Sequence, residues 1–183
     1  MFTSHLIFAH SIWKKHVKPE SYAIDATCGN GHDSLFLLQC GISHLYCLDI
    51  QKRALENTAK RLANFKNYSL HLGCHALFSM VKHPIDLIVY NLGYLPGGDK
   101  RLTTQTSTSL KSVENGLKLL NENGLMSITL YPGHLEGARE AKALLHYAFT
   151  LPKNQFISCH HRWLNRSHAP TVLFIQKIAY SLF

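Results

Sequence analysis

With 183 residues the chain is long enough for one domain with its own core, and no apolar run approaches the roughly 20 residues of a membrane-spanning helix. The formal charge is +8, and its distribution is one-sided: the last acid is Glu140, with Lys142, Lys153, Arg162, Arg166 and Lys177 beyond it. That imbalance suits a polyanionic partner, of which nucleic acid is the first candidate, and without a long apolar run no membrane partner is expected.

The five cysteines (28, 40, 47, 74 and 159) are odd in number and lack C-x-x-C spacing, so they read as reduced thiols of a cytoplasmic protein. Cys159, His160 and His161 have no second pair at zinc-like spacing, and no metal is expected. Residues 1–12 carry neither a basic n-region nor a small-residue cleavage site, and a signal peptide is not expected.

Taken in chain order, the N-terminal segment 1–20 reads as a helix over 5–17, with Leu6, Ile7, Ile12, Trp13 and Val17 on an apolar stripe. Lys18-Pro19-Glu20-Ser21 ends it. A short buried strand follows, Tyr22 to Ala26, then the turn Thr27-Cys28-Gly29-Asn30-Gly31-His32-Asp33, then a helical pattern from Ser34 to about Cys40-Gly41. Strand, glycine turn and helix make the nucleotide-handling corner of a doubly wound sheet, where glycines let backbone approach a ligand and free helix N–H groups face it. A pyrophosphate site would want a third glycine where Ser34 stands, and Asp25 would repel it. The acid suits a cationic ligand instead, such as the amino and sulfonium end of S-adenosylmethionine.

A second strand runs from His44 to Ile50, and its acid, Asp49, comes about two dozen positions after Asp25, the spacing at which a carboxylate meets ribose hydroxyls. Asp49 could also cap the helix expected over 51–64. A third strand, Tyr68 to Leu72, leads into Gly73-Cys74-His75-Ala76, where an adenine ring could pass. The fourth strand, Asp86 to Asn91, runs into a loop dense in glycine and proline, placing Asn91 and Tyr94 where such a sheet carries its chemistry. Then come a helix over 104–121 closed by Asn123-Gly124, a strand from Leu125 to Leu130, the turn Tyr131-Pro132-Gly133-His134, and a helix over 135–148. Segment 150–183 reads as a strand pair joined by a basic loop. The pattern predicts one Rossmann-like α/β domain over 1–183, a doubly wound seven-stranded sheet with its last strand antiparallel.

Four motifs in order, DATCGNGHD at 25–33, LDIQ at 48–51, YNLGYLPGGDK at 90–100 and YPGH at 131–134, resemble one group of small bacterial class I methyltransferases, long called putative rRNA methylases and later assigned to tRNA. The resemblance extends over essentially the whole chain. It implies S-adenosylmethionine as cofactor and a tRNA anticodon region as partner. The implied reaction methylates 5-aminomethyl-2-thiouridine at the wobble position to 5-methylaminomethyl-2-thiouridine. By the same resemblance Asp25, Thr27, Gly29, Asn30, Gly31, His32 and Asp33 would hold the methionine end. Asp49, Ile50 and Gln51 would hold the ribose, and His75 and Ala76 the adenine. Asn91 would orient the substrate amine, Tyr94 would stack on the base or line the cavity, and His134 would accept a proton or cap its helix. Lys100, Arg101, Arg162, Trp163, Arg166 and His168 would meet the RNA. A methyltransferase for rRNA or a small amine, and an RNA-binding homologue without turnover, are the competing readings; a homodimer is compatible with the sequence.

Overall fold

The computed structural model describes residues 4–93, 97, 103–166 and 168–179. Tyr94, Lys100 and Arg101, expected at the site, lie outside these residues. In chain order the elements are α1 (His5–His16), β1 (Tyr22–Asp25), α2 (His32–Gln39), β2 (His44–Asp49), α3 (Lys52–Arg61), β3 (Tyr68–Leu72) and β4 (Ile85–Asn91). The second half adds α4 (Thr106–Leu119), β5 (Leu120–Leu130), α5 (Leu135–Thr150), β6 (Phe156–His161) and β7 (Thr171–Lys177). The seven strands form one sheet in the order β3-β2-β1-β4-β5-β7-β6. Strands β1 to β5 pair in parallel, whereas β7 is antiparallel to both its neighbours.

The apolar runs of the central strands are buried on both faces because alternate side chains feed two cores. Leu87 and Val89 of β4 pack with Trp13, Leu37, Leu45 and Leu62 on one face of the sheet. Ile88 and Tyr90 pack with Val113, Leu117, Leu144 and Ile128 on the other. Helices α1 to α3 thus cover one face, and α4 and α5 the opposite one. Chain direction reverses its progress across the sheet between β1 and β4, which opens a crevice at their carboxyl ends. No helix among the described residues is long and apolar enough to cross a membrane.

One boundary differs from expectation. Asn123-Gly124 does not close α4, which ends at Leu119 into an extended Leu120. The pair instead forms an irregularity inside β5, where pairing shifts between Ile85–Leu120 and Leu87–Leu125 and Asn123 takes φ 62°. The left-handed backbone that Asn-Gly favours serves a strand bulge here as well as it would a helix end. In the C-terminal strand pair, His160 Nε2 meets Thr171 Oγ1 at 3.0 Å and His161 stacks on Phe8 of α1, so both rings have packing partners.

Candidate active site

The crevice holds a cavity of about 870 Å³, within the range of small-molecule sites. Its floor is the turn between β1 and α2. Gly29 and Gly31 take φ 52° and 75°, and a Cβ on Gly31 would lie 3.0 Å from the Thr58 backbone of α3. The turn therefore packs against α3 at a distance only glycine permits. Gly29 N–H donates to Asp49 Oδ2 at 3.0 Å, and Gln51 N–H donates to Oδ1 at 2.9 Å. Burial raises the Asp49 pKa, opposed by the backbone N–H groups of Gln51, Gly29 and Ile50. The carboxylate is thus fixed at the tip of β2, on the cavity wall, with lone pairs left for ligand hydroxyls.

Asn91 ends β4, on the far side of β1 from Asp49. Its backbone N–H donates to Thr27 Oγ1 at 2.7 Å, tying the tips of β1 and β4 together. Its Nδ2 donates to Asp33 Oδ2 at 2.6 Å, while its buried Oδ1 accepts no hydrogen bond among the described residues. His75 is a second wall residue with an unmet atom, Nδ1, and burial lowers its pKa to about 4, so it is a neutral imidazole. With Thr103 Oγ1 a third such atom among the described residues, unsatisfied polar atoms on an otherwise largely apolar cavity are the mark of a ligand site.

A family model described as "Putative rRNA methylase" matches residues 45–177. The chloroplastic tRNA (mnm(5)s(2)U34)-methyltransferase of Arabidopsis thaliana is 33% identical over 92% of this chain and 68% of that protein. The chain belongs to this methylase family. Among solved structures, an rRNA-methylase from Clostridium thermocellum superposes with a TM-score of 0.91 at 28% identity, over 97% of this chain and all of that one. A methyltransferase from Streptococcus mutans, solved in complex with SAH, gives 0.89 at 30% identity over the same shares.

Within this methylase framework, most of the expected cofactor residues meet at one cavity: Thr27, Gly29, Asn30, His32 and Asp33 from the first turn, and Asp49, Ile50, Gln51 and His75 from the next two strand ends. Asn30 and His32 are braced from outside by Arg61, whose Nε donates to the Asn30 carbonyl at 2.7 Å and whose guanidinium lies 3.2 Å from His32 Nε2. Asp25 is not on the wall, contrary to expectation. The two-residue alternation of β1 turns it toward α2, where it is fully buried and its Oδ2 accepts the Ser34 hydroxyl at 2.6 Å. Asp33, in the first turn of α2, is the acid of this corner that reaches the cavity. Gly31 lies off the wall as the left-handed residue that starts α2. Ala76 is also off it, buried with its carbonyl accepting from Asn115 Nδ2 at 3.0 Å.

The position of Asp25 has a measurable consequence. Burial, then the nearby charge of Asp33, raise its pKa from 3.8 to about 7. A carboxyl that holds its proton more tightly when folded stabilises the fold at low pH and loses that contribution as pH climbs through about 7. The part of the stability that Asp25 carries is therefore expected to fall between about pH 4 and about pH 7, so that the melting temperature of Asp25→Asn, which cannot ionise, changes relative to wild type across that interval. Melting curves across that interval check it; an equal slope in the variant would place the titration elsewhere.

His134 reaches the cavity but caps α5, its Nδ1 accepting the Gly137 N–H at 3.1 Å. The neutral ring then carries its proton on Nε2, and to accept another it must give up the cap. The helix-capping alternative fits this geometry better than a proton acceptor. Of the C-terminal loop, His168 lines the cavity, whereas Arg162 and Arg166 are exposed outside it and Trp163 sits edge-on to His161. Sequence reasoning missed three contributors. Tyr131 lines the wall, its phenol pushed up to about 12 by burial and then by Asp33, and its place at the end of β5, at the head of the YPGH motif, is the signal that could have marked it. Thr104 also lines the wall, donating to Glu140 Oε2 at 3.0 Å. His10, on the leading helix, touches Asp33 from behind.

Proposed function

We propose that this protein is an S-adenosylmethionine-dependent N-methyltransferase that converts 5-aminomethyl-2-thiouridine at the tRNA wobble position to 5-methylaminomethyl-2-thiouridine. The observation that carries the reading is the unpartnered Asn91 Oδ1 on the same cavity as the fixed Asp49 carboxylate. The cavity fits a nucleoside cofactor: Asp49 offers acceptors for ribose hydroxyls, and the neutral His75 borders the space beyond β3. The turn from Thr27 to Asp33 would hold the amino-acid end.

When bound, S-adenosylmethionine supplies an electrophilic methyl carbon on a sulfonium. The work left to the protein is to align a nucleophile and keep water away. An aliphatic amine must present its lone pair to the methyl group while its N–H bonds are held elsewhere. Asn91 Oδ1 can accept one of those bonds. It cannot rotate to offer Nδ2 instead, because Nδ2 is committed to Asp33. Tyr131 and Thr104 narrow the space around it. The basic loop, with Arg162 and Arg166 exposed and His168 lining the cavity, supports RNA as the carrier of the amine, a splayed-out base being the form in which single-stranded RNA is read. The tRNA enzyme among the relatives supports the same substrate class, and the reduced cysteines agree with a cytoplasmic setting.

Incubation with labelled S-adenosylmethionine and tRNA bearing 5-aminomethyl-2-thiouridine, followed by nucleoside analysis, tests the reading. Label in 5-methylaminomethyl-2-thiouridine is expected. Label in another nucleoside, or none, would overturn it.

A further inference from the structure

We propose that His10 of α1 is a positioning residue for methyl transfer, acting through Asp33 to fix which end of the Asn91 amide faces the substrate. The inference rests on Asn91 being the amine acceptor, as argued above. His10 Nε2 lies 2.7 Å from Asp33 Oδ1, and the other oxygen of that carboxylate takes Asn91 Nδ2 at 2.6 Å. A carboxylate only accepts, so both partners must donate. That requirement sets the His10 tautomer at one end of the chain and the Asn91 amide at the other. Oδ1 of Asn91 is left as the atom with no hydrogen-bond partner among the described residues.

The imidazole is held by packing that an ordinary aromatic could share. It stacks on Phe36 with ring centroids 3.9 Å apart and planes 14° from parallel, and it lies 4.9 Å from Trp13. Asp33 and Phe36 stand three positions apart on α2, so they share the face that His10 covers. The stack fixes the ring, and the ring nitrogen fixes the carboxylate. Without that second donor, Asp33 is free to turn, and the Asn91 amide loses the partner that forbids its flip. Misplacement of an orienting group by a fraction of an ångström already slows a displacement that depends on alignment.

Two substitutions separate the hydrogen bond from the packing. His10→Phe keeps a ring for Phe36 but has no donor; His10→Gln has an Nε2–H donor but no ring. For the tRNA substrate, kcat is expected to drop about tenfold in His10→Phe, with KM for tRNA and the Kd of S-adenosylmethionine unchanged, and to recover in His10→Gln. In an Asn91→Ala background His10→Phe should cost nothing further. The Asn91 side-chain amide resonance, identified by its absence in Asn91→Ala, is expected to shift in His10→Phe and to stay in place in His10→Gln. Wild-type kcat in His10→Phe, or a loss in His10→Gln that follows its melting temperature, would overturn the proposal. Should the wild-type protein methylate no aminomethyl tRNA, the proposed function fails, and the amide resonance alone decides the role of His10: an unmoved signal in His10→Phe rejects it.

Discussion

Asn91→Ala is expected to lower kcat for amine methylation by about 100-fold or more, with the affinity for S-adenosylmethionine nearly unchanged. The variant removes a buried acceptor on the cavity wall that no described residue fills, so the amine loses the contact that turns its lone pair toward the methyl carbon. It also frees Asp33 Oδ2, which Asn91 Nδ2 now occupies. Asn91→Asp sharpens the comparison: a second carboxylate beside Asp33 would repel it, bind a cationic amine and disfavour its deprotonated form. Steady-state kinetics on modified tRNA, with calorimetry for the cofactor, separate the two steps. Equal kcat in Asn91→Ala and wild type would remove this residue from the reaction.

Asp49→Ala should act on the other half of the site. It deletes an acceptor that three backbone N–H groups converge on, those of Gln51, Gly29 and Ile50. The first turn then loses its tie to β2, and the proposed ribose hydroxyls lose their partner. A charge-assisted contact of this kind contributes about 1.5–3 kcal/mol, so the Kd for S-adenosylmethionine is expected to rise by about 10- to 100-fold. Asp49→Asn keeps one acceptor oxygen and should lose less. Titration calorimetry at a temperature well below the melting point checks both, and donor binding that ignores the substitution would move the ribose elsewhere in the cavity.

The order of elements was legible because each central strand is a short apolar run followed by a small or acidic residue and then a helical period. The nucleotide corner was legible for the same reason, since Gly29 and Gly31 mark a turn that packs too closely for a side chain. Depth was harder to read than position. Asp25 and Asp49 look alike in sequence, both ending a strand, yet one lies under α2 and the other reaches the cavity. Asp25 pairs with Cys47, two residues short of Asp49, so both carboxylates leave the same face of the sheet and only the one further along its strand stands at the cavity. Asp33 was expected at the site, but its partner His10 was not, because a contact across 23 positions between two helices leaves no local pattern. His134 was ambiguous for a different cause: a residue at a helix start can cap or catalyse, and only the Gly137 N–H decides between them.

The strand order carries a consequence for how the chain is made. β6 leaves the ribosome before β7, yet its place in the sheet is held by β7 alone, which pairs with β5 on its other side. Until the final strand emerges, the rim of β5 stays open and β6 has nothing to join. Assembly of this half therefore waits for β7, and a chain without that strand leaves β6 unpaired and the loop that carries Arg166 without its anchor in the sheet.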